Sequence, residues 1–176
     1  MRDRENIARV SNRYRLLLMA LFCLVPVVNG LGWFVVAHPE ELMEPQAYAI
    51  LGGVTLTMRI LAFLVSMLKG AVVMYGLWIL IRLFQLYQQG VFFELANVAC
   101  FRNMSRALIC WVAAGIVSEP LLSLILTMNN PPGEHVVQVS LQSADLTALI
   151  VGGILSVISR VMEDGRRLQE ELELTV

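Results

Sequence analysis

Four apolar runs, separated by segments rich in charge and turn formers, organise the chain. They cover about Leu16 to Val36, Ile60 to Ile81, Ala107 to Met128 and Leu146 to Met162. About 20 apolar residues cross a bilayer core ~30 Å thick, so each run is able to span it, the fourth with the least margin. Lipid offers backbone amides no partner, so the pattern predicts transmembrane helices in an all-α four-helix bundle, one domain over residues 1–176. The second run lies inside a longer apolar stretch, Ala47 to Phe84. Residues 47–59 therefore either extend the second helix outward or form a separate interfacial helix, with Gly52 and Gly53 suited to a bend.

The connections carry their own patterns. "MNNPPGEHVVQVSLQSAD" opens on turn residues and then alternates through Val137, Val139 and Leu141, which predicts a short hairpin or a loop lying on the bilayer. "LYQQGVFFELANVACFRNMSR" breaks at Gly90 and then becomes helix-like. Val91, Leu95 and Val98 fall on one side, and Glu94, Asn97 and Arg102 elsewhere. That predicts a short helix in the inner membrane interface between the second and third spans.

Charge orients the spans. Arg2, Arg4, Arg9, Arg13 and Arg15 precede the first; Arg82, Arg102 and Arg106 lie between the second and third; Arg160, Arg166 and Arg167 follow the fourth. The other two connections hold Glu40, Glu41 and Glu44, or no lysine or arginine at all over Asn129 to Asp145. By the positive-inside rule both termini are cytoplasmic, and the basic, uncleaved N-terminus acts as a signal-anchor. Composition agrees: 57% hydrophobic and 15% charged residues exclude an ordinary soluble domain, and a net charge of -1 argues against direct nucleic-acid binding. Cys23, Cys100 and Cys110 have no metal spacing and read as packing residues.

Lys69 and Glu119 stand out because a charge in a span is costly unless it faces the interior and pairs. Lys69 lies nine residues from Ile60, and Glu119 nine from Met128. At ~1.5 Å per residue both sit ~13 Å below the outer boundary. Asn29, about seven residues deep in the first span, joins that polar layer, and Glu119 is the single acidic residue inside the four runs. The expectation is a buried Lys69–Glu119 pair with Asn29 hydrogen-bonding nearby. It fixes helix register, or it forms a proton, ion or ligand site. Pro26 and Pro120 lie beside these polar residues and free carbonyls there.

Other constellations are weak. Ser66 and Lys69 match an S-x-x-K spacing without its companion motifs. His38 and His135 fall in outer connections, unsuited to a haem between helices, and a surface metal site with Glu40, Glu41 or Glu44 has no further support. No P-loop or dinucleotide fingerprint occurs. The expectation is a protein that is not an enzyme and has no cofactor and no metal. Gly152, Gly153 and Ser156 form a small-residue face suited to helix packing, within the protomer or in a homo-oligomer.

Two stretches carry a family resemblance. "GVFFELANVACFRNMSRAL" and "VMEDGRRLQEELELTV" resemble the inner segment and closing signature of the bacterial domain-of-unknown-function 2975 family, and the four-span layout is similar along the chain. Leu95-Ala96-Asn97 lacks the family's usual glutamate before the asparagine, and Phe101 replaces its leucine. The resemblance implies a small protein of the bacterial inner (cytoplasmic) membrane, with a helix-turn-helix regulator of the Cro/repressor type as partner. The matching positions are Gly90, Phe93, Asn97, Arg102, Gly165, Leu168, Gln169, Glu170, Leu174, Thr175 and Val176. All lie on the expected inner side, where Gly90, Phe93, Asn97, Arg102, Gly165, Leu168, Gln169 and Glu170 would form a cytoplasmic docking surface.

Read from its residues alone, "RRLQEELELTV" is amphipathic, with Leu168, Leu172 and Val176 at four-residue spacing. It either continues the fourth helix or folds on a partner. Three functions stay open: a bilayer-embedded protein that binds a cytoplasmic regulator, a small transporter or ion/proton-responsive protein centred on Lys69, Glu119 and Asn29, and an accessory subunit of a larger membrane complex.

Overall fold

The computed structural model describes residues 2–36, 50, 53–91 and 94–174. Four helices follow in order: α1 (Arg2–Phe34), α2 (Leu56–Gln88), α3 (Leu95–Leu126) and α4 (Ser143–Leu174). All four are long and apolar enough to cross a membrane, and the described residues contain no strand. Each helix packs on its neighbours in the sequence. The pairs run antiparallel. Tyr14 stacks on Phe84 while Arg59 at the other end of α2 donates to the Trp33 carbonyl; Met58 meets Asn129 while Leu83 clusters with Cys100.

Packing is inverted relative to a soluble bundle. Large apolar side chains such as Leu64 and Ile150 are more than half exposed, ready for lipid. Small and polar residues line the seams instead. Gly152 is buried, and a Cβ on it would lie 3.4 Å from Leu108 Cβ and from the Ser105 carbonyl. Gly153 on the next position has open space. Two apolar clusters close the ends: Trp33, Ala62 and Leu126 at one, and Ile79, Leu83, Cys100 and Ala107 at the other. Cys23 and Cys110 are exposed and Cys100 is buried; all three are free thiols.

Helices α1 to α4 have 33, 33, 32 and 32 residues. At ~1.5 Å per residue each is about 50 Å long, well beyond a ~30 Å core. The excess falls mostly at one end. α1 starts well before Leu16, α2 runs past Ile81, α3 starts before Ala107, and α4 runs past Met162. Because neighbours are antiparallel, all four projections are at the arginine-rich end. At the opposite end each helix stops or starts within a few residues of its apolar run.

This corrects the expected interfacial helix. α2 stops in a turn where Gly90 (φ +73°) donates to the Tyr87 carbonyl and Val91 to the Leu86 carbonyl. That is the Schellman arrangement, which requires the left-handed conformation glycine adopts without a Cβ penalty. Asn97 Nδ2 then donates to the Val91 carbonyl at 3.0 Å, and α3 is already helical from Leu95. The amphipathic stretch is the first turns of α3, where Asn97, Val98 and Cys100 are buried, Cys100 against Leu83 of α2, while Leu95 of the expected apolar side is 52% exposed.

At the other end α2 starts at Leu56, where Thr55 Oγ1 accepts from the Met58 amide. Gly53, Val54 and Thr55 are not helical. α2 therefore does not continue back past Leu56; residues 47–49, 51 and 52 lie outside the described residues, as do His38, Glu40, Glu41 and Glu44.

Candidate functional site

The connection between α3 and α4 builds the site. Glu134 to Gln142 form neither a hairpin nor a helix. The segment turns back and descends along α3, held by side chains at four-residue spacing. The Val136 amide donates to Thr127 Oγ1 at 3.4 Å, Gln138 to Ser123 Oγ at 3.0 Å, and Ser140 to Glu119 Oε2 at 3.1 Å. Two extended residues advance ~6.6 Å and four helical residues ~6 Å, so the two periods stay in step. Gln138 and Ser140 turn inward while Val137, Val139 and Leu141 are exposed. We call this segment the strap.

Glu119 anchors its lower end. Oε2 also accepts from Ser140 Oγ at 2.6 Å, while Oε1 lies 3.6 Å from Lys69 Nζ. The two side chains are 24% and 20% exposed, so the contact is largely inside the protein. Lys69 Nζ also sits 5.0 Å from the centre of the Trp111 ring, a favourable place for an ammonium. Gly115 leaves the room for it: a Cβ there would come within 2.8 Å of Lys69 Cε and 2.9 Å of Nζ.

Asp145 completes the cluster. It is 2% exposed, and its Oδ2 accepts from the Gln142 amide at 2.9 Å, which starts α4 in the manner of a capping box. Its Oδ1 has no hydrogen-bond partner and lies 3.9 Å from the position of a Gly115 Cβ, beside Lys69. Sequence reading missed this residue because it stands one position before the fourth apolar run. A signal was present: that run is short, and the helix long enough to span starts at Ser143, which brings Asp145 into it.

Asn29 stands apart from the ion pair. Its Oδ1 accepts from Ser66 Oγ at 2.7 Å, and Trp33 Nε1 donates to the same hydroxyl at 3.1 Å. Ser66 is one turn from Lys69 on α2, so this α1–α2 network and the charged cluster are adjacent. Beyond Trp111 an apolar groove of about 450 Å³ runs between α2 and α4 over α3, past Gly76, Met104 and Thr147.

The positions at the arginine-rich end divide by role. Gly90 and Asn97 make the α2–α3 turn, and Asn97 is 1% exposed. Arg102 lies on the α3 projection, 3.9 Å from Glu163 of α4, which Arg167 also contacts at 3.1 Å. Gly165 and Leu168 are exposed on α4. Gln169 and Glu170 are on the same helix, their side chains outside the described residues, as are Phe93, Thr175 and Val176. His135 Nδ1 sits 2.9 Å from the Thr127 carbonyl. Among the described residues no group of three or more His, Cys, Asp or Glu is placed to hold a metal ion.

Four long apolar helices around a polar seam define a multi-pass membrane protein. The family model described as a protein of unknown function (DUF2975) matches residues 57–176, so the chain belongs to that family. The match begins at the start of α2; α1 precedes it. No curated protein and no solved structure matches the chain.

Proposed function

We propose that this is a non-enzymatic protein of the bacterial inner membrane, both termini cytoplasmic, that presents its inner helical projections to a soluble partner. The observation that carries this is the shared direction of the projections: all four helices continue past their apolar runs at the arginine-rich end. Arg102, Glu163 and Arg167 lie exposed or half-exposed there, and Leu168 is 61% exposed. Exposed ion pairs of this kind contribute little to stability, which leaves these residues free to re-pair with a partner. A small helix-turn-helix regulator is the partner we favour, on the family resemblance. Affinity purification of the full chain from native membranes, with mass spectrometry, tests this. The expected result is a small DNA-binding protein that is lost when residues 169–176 are deleted. Recovery of the chain alone, or of another integral protein unaffected by that deletion, contradicts the reading.

A second reading, a small transporter or ion-responsive protein, is favoured by the 3.6 Å approach of Lys69 to Glu119 beside Asp145. It predicts that Lys69→Gln and Glu119→Gln abolish activity by more than their loss of stability explains.

A further inference from the structure

We propose that Asp145, Glu119 and the lower end of the strap form a binding site for one small monovalent alkali cation, with Lys69 as its tethered competitor. The proposal deepens the ion-responsive reading and rests on it for its physiological use. Three observations carry it.

The first is the charge balance. From α2 the cluster receives Lys69, from α3 Glu119, and from α4 Asp145; the strap adds no charged side chain at this level. Two carboxylates share one ammonium, so the site is one positive charge short. Buried charge is costly unless compensated, and the deficit fits a singly charged ion rather than a divalent one.

The second is the unpartnered oxygen. Asp145 is 2% exposed and its Oδ1 has no donor, although Oδ2 is satisfied by Gln142. Glu119 differs: Oε2 takes both donors of Ser140, and Oε1 faces Lys69. The buried oxygen that lacks a hydrogen-bond partner is thus on Asp145, on the side of Gly115 where the Lys69 ammonium now sits.

The third is the backbone. Alkali cations take oxygen ligands, and non-helical backbone inside a membrane protein exposes carbonyls that a helix would occupy. Strap residues 139–141 accept no backbone hydrogen bond. They pass the carboxylates where Ser140 meets Glu119.

Lys69 explains how the site fills and empties. Its Nζ is 3.6 Å from Glu119 and 5.0 Å from the Trp111 ring centre. An arriving cation takes over the carboxylates, and the ammonium shifts onto the ring. No bond is made or broken. Because Glu119 and Asp145 hold Ser140 and Gln142, an ion between them ties the strap to α3 and α4.

The test uses the full chain in lipid nanodiscs, in choline buffer of constant ionic strength, titrated with sodium chloride. Thermal unfolding and hydrogen exchange at the Ser140 and Gln142 amides are followed. The expected result is a rise in the unfolding midpoint and slowed exchange at those amides, saturating with sodium. Asp145→Asn keeps the cap to Gln142 and loses both responses. Lys69→Met, which removes the competitor, responds at lower sodium. A sodium effect of equal size in Asp145→Asn overturns the proposal as a general salt effect. No response to sodium, potassium or lithium overturns it too. In that case exchange that responds to pH leaves the ion-responsive reading standing for protons, and exchange that responds to neither overturns both.

Discussion

Lys69→Met is the most informative single perturbation of the charged layer. In the parent, the attraction at 3.6 Å is worth about 4–5 kcal/mol at an effective dielectric near 20, before desolvation is subtracted. Removing the ammonium leaves Glu119 and Asp145 as two uncompensated carboxylates, at a cost of about 3–5 kcal/mol by the behaviour of broken buried pairs. Glu119→Gln is milder. The amide oxygen still accepts from Ser140, and charged hydrogen bonds worth about 1.5–3 kcal/mol become neutral ones worth about 1 kcal/mol. Lys69 then still has Asp145 beside it. The double variant restores the parental charge balance, so it is more stable than the two single costs predict by about 2 kcal/mol or more. Reversible unfolding in mixed detergent micelles, followed by far-ultraviolet circular dichroism, measures all four proteins. A Lys69→Met protein as stable as the parent, or single costs that simply add, would refute the pairing.

Three further outcomes follow from particular contacts. Gly152→Leu overpacks the α3–α4 seam against Leu108 and the Ser105 carbonyl, costing about 1–3 kcal/mol in the same assay, whereas Gly153→Leu, with open space around it, costs far less. Ser66→Ala leaves Asn29 and Trp33 without their shared hydroxyl, at about 1–3 kcal/mol, and shifts Trp33 emission; an unchanged spectrum and stability would show that network to be idle. Asn97→Ala strips the Val91 carbonyl of its donor, a bond made by a buried side chain to a part-buried turn, again at about 1–3 kcal/mol, and speeds proteolysis between α2 and α3; unaltered cleavage would contradict the role given to Asn97.

The helices were legible because a bilayer leaves little choice: an apolar run of sufficient length must close its own hydrogen bonds. Lys69 and Glu119 were legible for the same reason, since equal depth on antiparallel runs follows from counting. The strap was not. Val137, Val139 and Leu141 announce an extended segment, but its partner is set by Thr127, Ser123 and Glu119, spaced for a helix and readable as ordinary α3 residues. Asp145 was hidden similarly, since an aspartate at a helix start is expected for capping alone. The first turns of α3 misled because the apolar side read from Val91, Leu95 and Val98 is not the buried one: Leu95 is 52% exposed, and Asn97 is buried because its amide closes the turn on the Val91 carbonyl. Asn29 bonds Ser66, a hydroxyl that depth counting did not single out.

Sidedness carries every functional statement made above, because the projections serve a cytoplasmic partner and the strap faces outside only if the arginine-rich end is inside. The direct measurement is thiol accessibility in intact cells. Cys23, Cys100 and Cys110 are replaced by serine or alanine, and single cysteines are introduced at Gln89, Leu168 and Glu134, all exposed. A membrane-impermeant maleimide is predicted to label Glu134→Cys in intact cells, and Gln89→Cys and Leu168→Cys only after the membrane is opened. Labelling of Leu168→Cys or Gln89→Cys from outside, with Glu134→Cys protected, would contradict it.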